Sequence, residues 1–300
     1  MAVDSRFSVL LEGRSFLESP RWHDGALWLS DFYTGEVLRL DAAGTATVIA
    51  RVPEQPSGLG WLPDGRLLIV SMRDRRVLRQ EADGRLVTHA DLSAYASGHT
   101  NDMVVDAQGR AWVGNFGFDL MGGAPAHTAD LVRVDPDGSV HVAARDLYFP
   151  NGSMISADGR TLLVGETMGN RISAFDIAAD GTLGPRRDWA HFGPLPTLGD
   201  IPSVLGQLVA APDGATLDAE GCIWFADAIG HRVVRMAPGG EIVDSLSTGE
   251  QGVFACMLGG PDGCTLYLCV APDFHEPLRK AAREAALWST RVRAPHAGRP

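Results

Sequence analysis

Short apolar runs recur along this chain, each four to six residues long and each introduced by a tight polar turn that ends in glycine. The pattern is clearest in YFPNGSMISADGRTLLVGETMGNRISAFD, Tyr148 to Asp176. There an Asp-Gly turn at Asp158-Gly159 separates two extended runs, Ser153 to Ser156 and Thr161 to Val164, and a third, Arg171 to Phe175, follows Gly169-Asn170. Runs this short, bounded by such turns, predict an antiparallel meander. The same arrangement returns in HDGALWLSD, LPDGRLLIVS, DAQGRAWVGN, DAEGCIWFAD and GPDGCTLYLC. The turn glycines Gly25, Gly65, Gly109, Gly159, Gly221 and Gly263 are spaced 40, 44, 50, 62 and 42 residues apart. Four short strands with their turns need roughly 40–50 residues. The spacing therefore predicts an all-β chain folded as a six-bladed β-propeller of four-stranded antiparallel blades. A β-sandwich rich in Asp-Gly turns would account for the turns but not for the long regular period.

The repeats share a register. Eight positions before the turn glycine stand Ser57, Asn101, Asn151, Asp213 and Ala255, and in the first repeat, one residue shorter, Glu18 stands seven before Gly25. In a propeller this segment leads into the innermost strand, near one mouth of the central channel. Glu18, Asn101, Asn151 and Asp213 thus bring oxygen donors toward one ring. Such a set suits a hard divalent cation. The alternative is that each residue closes the loop into its own strand, as Asn and Asp do in turns. An open site with two carboxylates favours Ca²⁺, Mg²⁺ or Mn²⁺, and Zn²⁺ is also compatible, although no His falls in the register. Of the histidines, His99 lies two positions before Asn101 at the same mouth, where it is placed to contact substrate or assist proton transfer, or to serve the structure alone.

Other segments refine the architecture. Phe7 to Leu11 and Leu287 to Arg293 are the strands expected to close the ring at the chain ends. Phe118 to Asp130, rich in Gly, Ala and Pro, interrupts the third repeat as a loop. Gly184 to Ala211, with Pro185, Pro194, Pro196 and Pro202, is the longest irregular stretch. Because it ends beside Asp213, it is expected to form a lid or pocket wall, with a plain surface excursion as the alternative. AAREAALW, after Pro272, reads as a short helix or irregular turn.

The repeats leave no room for a second unit, so residues 1–300 are expected to form one domain. A net charge of −11 argues against nucleic acid or an anionic membrane as a partner, because phosphates would be repelled over much of the surface. The opening residues, MAVDSRFSVLLEG, lack the apolar core of a secretory signal. Cys222, Cys256, Cys264 and Cys269 form no CxxC pair and sit in or beside predicted strands. They read as reduced core residues of a cytoplasmic protein, with Cys256 one step from the register and so near the channel.

Glu18-Ser-Pro with Trp22 and DGALWLSD, Asn101-Asp102 with DAQGRAWVGN, FPNG at Asn151 with SADGRTLLVGET, and PDG at Asp213 with LDAEGCIWFAD occur in a fixed order over nearly the whole chain. Together with LGGPDGCTLYL they resemble the gluconolactonase/regucalcin family of six-bladed propellers. The resemblance implies one divalent metal ion held by Glu18, Asn151 and Asp213, Ca²⁺ foremost, with Asn101 as a substrate contact or further ligand. It also implies hydrolysis of a small lactone, with Asp213 acting as base toward the attacking water. One departure stands out: sugar-lactonase members commonly carry Arg two residues before the Asn matched by Asn101, and this chain has His99. A more apolar lactone or another activated ester is thereby left open as substrate. The related alternatives are a propeller esterase or organophosphatase, and a propeller that binds metal and ligand without chemistry.

Overall fold

The computed structural model describes residues 5–298. Its hairpins follow from turn chemistry. Asp24 and Gly25 both take positive φ, 47° and 70°, the two-residue turn whose twist matches that of its flanking strands. The other five turn glycines have φ between 73° and 85°, while the residues before them do not turn positive. In the second repeat Leu62 and Arg66 close a loop around Pro63, Asp64 and Gly65, a three-residue turn ending in a left-handed glycine. That extra residue is why the first repeat is one shorter than the rest.

Each hairpin belongs to one of six four-stranded antiparallel sheets. Five are formed by consecutive strands, and the sixth takes its outermost strand, Ser8–Arg14, from the start of the chain. That strand pairs antiparallel with Ala285–Arg291, Ser8 lying opposite Ser289. The molecule is a six-bladed β-propeller, its ring closed by the two chain ends as the sequence predicts. The closing strand begins at Ala285 rather than Leu287, because AAREAALW is divided: its first two residues end the helix Glu276–Ala282, and Arg283, at φ 49°, reverses the chain.

The innermost strands are Leu17–His23, Pro56–Trp61, Thr100–Val105, Pro150–Ile155, Pro212–Leu217 and Gly252–Gly259, and they pack side by side around the axis. Every one carries a register shift near its start, for example between Glu18 and Arg21 and between Asn151 and Met154. A bulge bends a strand and re-aims its side chains. Here it falls at the register residues, directly after Glu18 and Asn151 and across Ser57, Asn101 and Asp213, where it re-aims their side chains. The tight approach of neighbouring inner strands fixes what can follow them. A Cβ on Gly152, whose φ is +49°, would lie 2.2 Å from the Asp213 carbonyl oxygen. The NG pair at Asn151 is therefore a packing requirement as much as a turn.

Between the blades lie successive layers of apolar side chains. Val37, Val52, Leu59 and Ile69 fill one, and Leu17, Leu29, Leu38, Tyr267 and Leu287 fill the layer that joins the last blade to the first. Fully burying each such aliphatic side chain stabilises the fold by roughly 1.5–3 kcal/mol. Both faces of a blade are covered, so its second strand, such as Leu67–Ser71 or Ile223–Asp227, reads as an apolar run without strict alternation.

The stretch from Gly184 to Ala211 is more regular than its composition suggests. Arg187–His191 is the outer strand of the fourth blade, and Ile201–Leu205 is a short helix whose first turn is capped by Asp200, accepting from the Ser203 N–H at 3.0 Å. Cys222, Cys256 and Cys269 are buried, whereas Cys264 is partly exposed and not a core residue. The Cys256 thiol donates to the Gly214 and Trp224 carbonyl oxygens, each at 3.4 Å, which ties it to the sheet rather than to the channel. No helix among the described residues is long and apolar enough to cross a membrane.

Candidate functional site

Glu18, Asn101, Asn151 and Asp213 line the floor of a single cavity at one mouth of the channel, and His99 stands in its wall. All the site residues picked from the sequence are thus brought together. Each floor residue is delivered by the second position of an inner strand. Ser57, at the same position of the second blade, donates its hydroxyl to Asn101 Oδ1 at 3.1 Å. Ala255, in the sixth blade, adds no polar group to the ring.

A second set of side chains holds these strands in place, and the sequence patterns contained it without revealing its role. Asp31 accepts the Ser15 and Phe16 N–H groups, Glu166 accepts that of Tyr148, and Asp227 accepts that of Ala211. Each acceptor ends the second strand of its blade, and each clamps the backbone two or three residues before Glu18, Asn151 or Asp213. The signal was the acid closing the apolar run in ALWLSD, TLLVGE and IWFAD. Glu166 is further fixed by Arg171, at 2.7 and 2.8 Å, and Asp227 by Arg232.

The floor is poor in positive charge. Asn151 Nδ2 donates to Asp213 Oδ1 at 2.5 Å, and Asn151 Oδ1 accepts the Gly152 N–H. Among the described residues Glu18 accepts only the Ser19 N–H. Arg21, whose charge acts on Glu18, donates instead to Asp102 at 2.6 Å and to the Met103 carbonyl at 2.7 Å. Burial consequently raises the Glu18 carboxyl well above its ordinary range, and the charge of Asp213 raises it further, against the Ser19 hydrogen bond and Arg21. Asp213 is pushed up to about 8, chiefly by burial, with the Asn151 amide pulling the other way and Asp102 adding to the rise. Two carboxyls held next to each other without a basic partner favour either a shared proton or a bound cation.

No three His, Cys, Asp or Glu side chains among the described residues form a metal cluster by themselves. Besides its two carboxylates the floor offers the amides of Asn101 and Asn151. Burial lowers His99 from its usual value, helped by the charge of Arg73, so its ring is neutral at pH 7. That ring packs 5.8 Å from the ring of Phe116.

Above the floor the cavity, of about 150 Å³, is walled by Phe16, Phe32, Phe116, Phe149 and Phe254 together with Met72 and Met168. Ile201 and Leu205, from the short helix, line it too. This bears out a pocket-wall role for the stretch before Asp213. Sequence reading missed the aromatic wall, because its members come one or two at a time from different blades and are recognisable only once the ring is closed.

Residues 16–272 match the sequence model of the SMP-30/Gluconolactonase/LRE-like region. The chain is similar to a 6-deoxy-6-sulfogluconolactonase of Pseudomonas putida, 27% identical over 294 residues that cover 94% of this chain and 93% of the relative. It is similar also to a pentonolactonase of Haloferax volcanii, 26% identical over 266 residues, covering 85% and 81%. Among solved structures, a regucalcin of Agrobacterium tumefaciens, described as a calcium-binding protein, shares the fold with a TM-score of 0.76 at 21% identity, over 100% of this chain and 99% of that one.

Proposed function

Because this chain belongs to the SMP-30/gluconolactonase/LRE-like family, we propose that it is a hydrolase that opens the ring of a small lactone on the floor formed by Glu18, Asn101, Asn151 and Asp213. Support comes from relatives named as lactonases that cover most of the chain. The observation that carries the reading is the pair of carboxyls, Glu18 buried and Asp213 half-buried, set beside an amide and without a basic partner among the described residues at the bottom of a pocket.

That donor set fits one divalent cation, held by Glu18, Asn151 and Asp213, with Ca²⁺ the best match to an all-oxygen shell of mixed charge. When bound, such an ion polarises the lactone carbonyl and offsets the charge of both carboxylates. The rest of the chemistry falls to the protein. Asp213, ionised, accepts a proton from the attacking water as its oxygen bonds to the carbonyl carbon. The ring C–O bond then breaks, and the proton passes to the departing oxygen, giving a hydroxy acid. Asn101, anchored by the Ser57 hydroxyl, presents its amide N–H to a substrate oxygen. His99, neutral, offers a hydrogen bond from the wall.

The test is hydrolysis of simple lactones by metal-stripped protein with Ca²⁺, Mg²⁺, Mn²⁺ or Zn²⁺ added back, beside the Asp213→Ala and Glu18→Gln variants. Turnover is expected to need both the cation and each carboxylate, the variants losing about a thousandfold or more while remaining folded. Full activity in the stripped protein would sink the metal-dependent reading.

A further inference from the structure

We infer that the lactone accepted here carries an apolar substituent, alkyl or aryl, rather than the hydroxyls of a sugar; the inference rests on the hydrolase reading above and names its substrate class.

Polar chemistry in this cavity is confined to the floor. On the wall, the three polar side chains other than His99 are already engaged within the protein. Tyr33 donates its hydroxyl to the Phe274 carbonyl oxygen at 2.6 Å, and Thr167 donates to the Pro212 carbonyl at 2.8 Å. Gln55 spans Met72 Sδ and Arg73 Nε, at 3.2 and 3.1 Å. No Lys or Arg among the described residues lines the cavity. Hydroxyls on a bound ring would therefore leave water and find above the floor, besides His99, only side chains already hydrogen-bonded within the protein. A polar group buried without a partner is disfavoured, and a pocket with nothing to pair a hydroxyl rejects it.

The wall is built to hold carbon instead. The rings of Phe16 and Phe254 meet at 4.8 Å and those of Phe116 and Phe149 at 4.7 Å, tilted pairs that fix two sides of the cavity. The apolar surface continues outward. Leu205, Ile229, Phe274 and Met121 line the opening and remain 38%, 39%, 40% and 42% exposed. They are supplied by four different segments, yet they converge on one rim. A lactone ring seated at the floor would point a short chain along this rim, where each methylene covers apolar surface otherwise left to water.

The test compares kcat/KM of the cation-loaded protein for δ-decalactone, δ-valerolactone and D-glucono-1,5-lactone, three six-membered rings bearing a pentyl chain, no substituent and a set of hydroxyls. δ-Decalactone is expected to exceed the glucono-lactone by about 100-fold. The double variant Met121→Ser with Phe274→Ser should narrow the decalactone-to-valerolactone ratio by about tenfold, acting through KM. Metal-dependent turnover that favours the glucono-lactone would overturn the inference and leave the hydrolase reading standing. If no lactone is turned over, the hydrolase reading fails, and the inference is judged by binding. A larger rise in melting temperature with δ-decalactone than with the glucono-lactone supports it, and equal or reversed shifts overturn it.

Discussion

Glu18 and Asp213 lie beneath the pocket with no Lys or Arg side chain among the described residues hydrogen-bonded to either. A carboxyl whose pKa is raised by folding holds its proton more tightly folded than unfolded, so its contribution to stability is present at low pH and is lost as pH rises. Asp213 moves from 3.8 to about 8. Cation-free protein should therefore melt at progressively lower temperature between about pH 4 and 8. Asp213→Asn should flatten that decline, and so should saturating Ca²⁺, which binds the ionised form. Melting curves of the three samples decide it: a cation-free wild type as flat as the variant would mean that the carboxyl is not raised. His99 allows a separate check. His99→Phe keeps an aromatic ring against Phe116 and removes the nitrogens, so KM should rise about tenfold with kcat nearly unchanged. A fall in kcat at constant KM would instead make His99 a proton carrier.

At the level of the strand, the floor depends on acids that never reach the cavity. Asp227 holds the Ala211 N–H at 3.0 Å, two residues before Asp213. Asp227→Ala should leave that buried donor unpaired and lower stability by about 1–3 kcal/mol. It should also weaken the Ca²⁺ dependence of the melting temperature by at least about tenfold in concentration, as loss of a group that orients a ligand does. Asp227→Asn, which keeps an acceptor, should do less of both. The apolar runs and Asp-Gly turns made the six hairpins readable, since turn chemistry and strand pattern are local. The fixed distance from each turn glycine made Glu18, Asn101, Asn151 and Asp213 readable as one ring. Outer strands were harder. Arg187–His191, RDWAH, buries only Ala190 and part of Trp189, and Ile242–Ser247 is largely exposed, so neither carries an alternating buried face for a pattern to mark. The helix Ile201–Leu205 is too short to show a period. Wall residues such as Phe16 and Phe254 are neighbours only across blades, and no local signal joins them.

Across the whole molecule, stability depends on the ring being shut. A chain beginning at Ser15 would lack the strand Ser8–Arg14 and leave the edge of Ala285–Arg291 unpaired. Such a truncation is expected to melt well below the full chain and to associate through that edge, as scanning calorimetry and light scattering would show. A truncated protein equal to the full one in both would remove any role for the closing strand. The same closure bears on how the protein is made. Ser8–Arg14 leaves the ribosome well before its partner, Ala285–Arg291. At about 5–20 residues per second, the early strand waits on the order of ten seconds to a minute, unmatched, while five blades are completed beside it. The entropy of joining such distant ends grows only slowly with separation, by about 0.6 kcal/mol per doubling. Translation time rather than equilibrium is what this wiring strains, and the nascent chain must keep its opening strand from pairing elsewhere until the last one arrives.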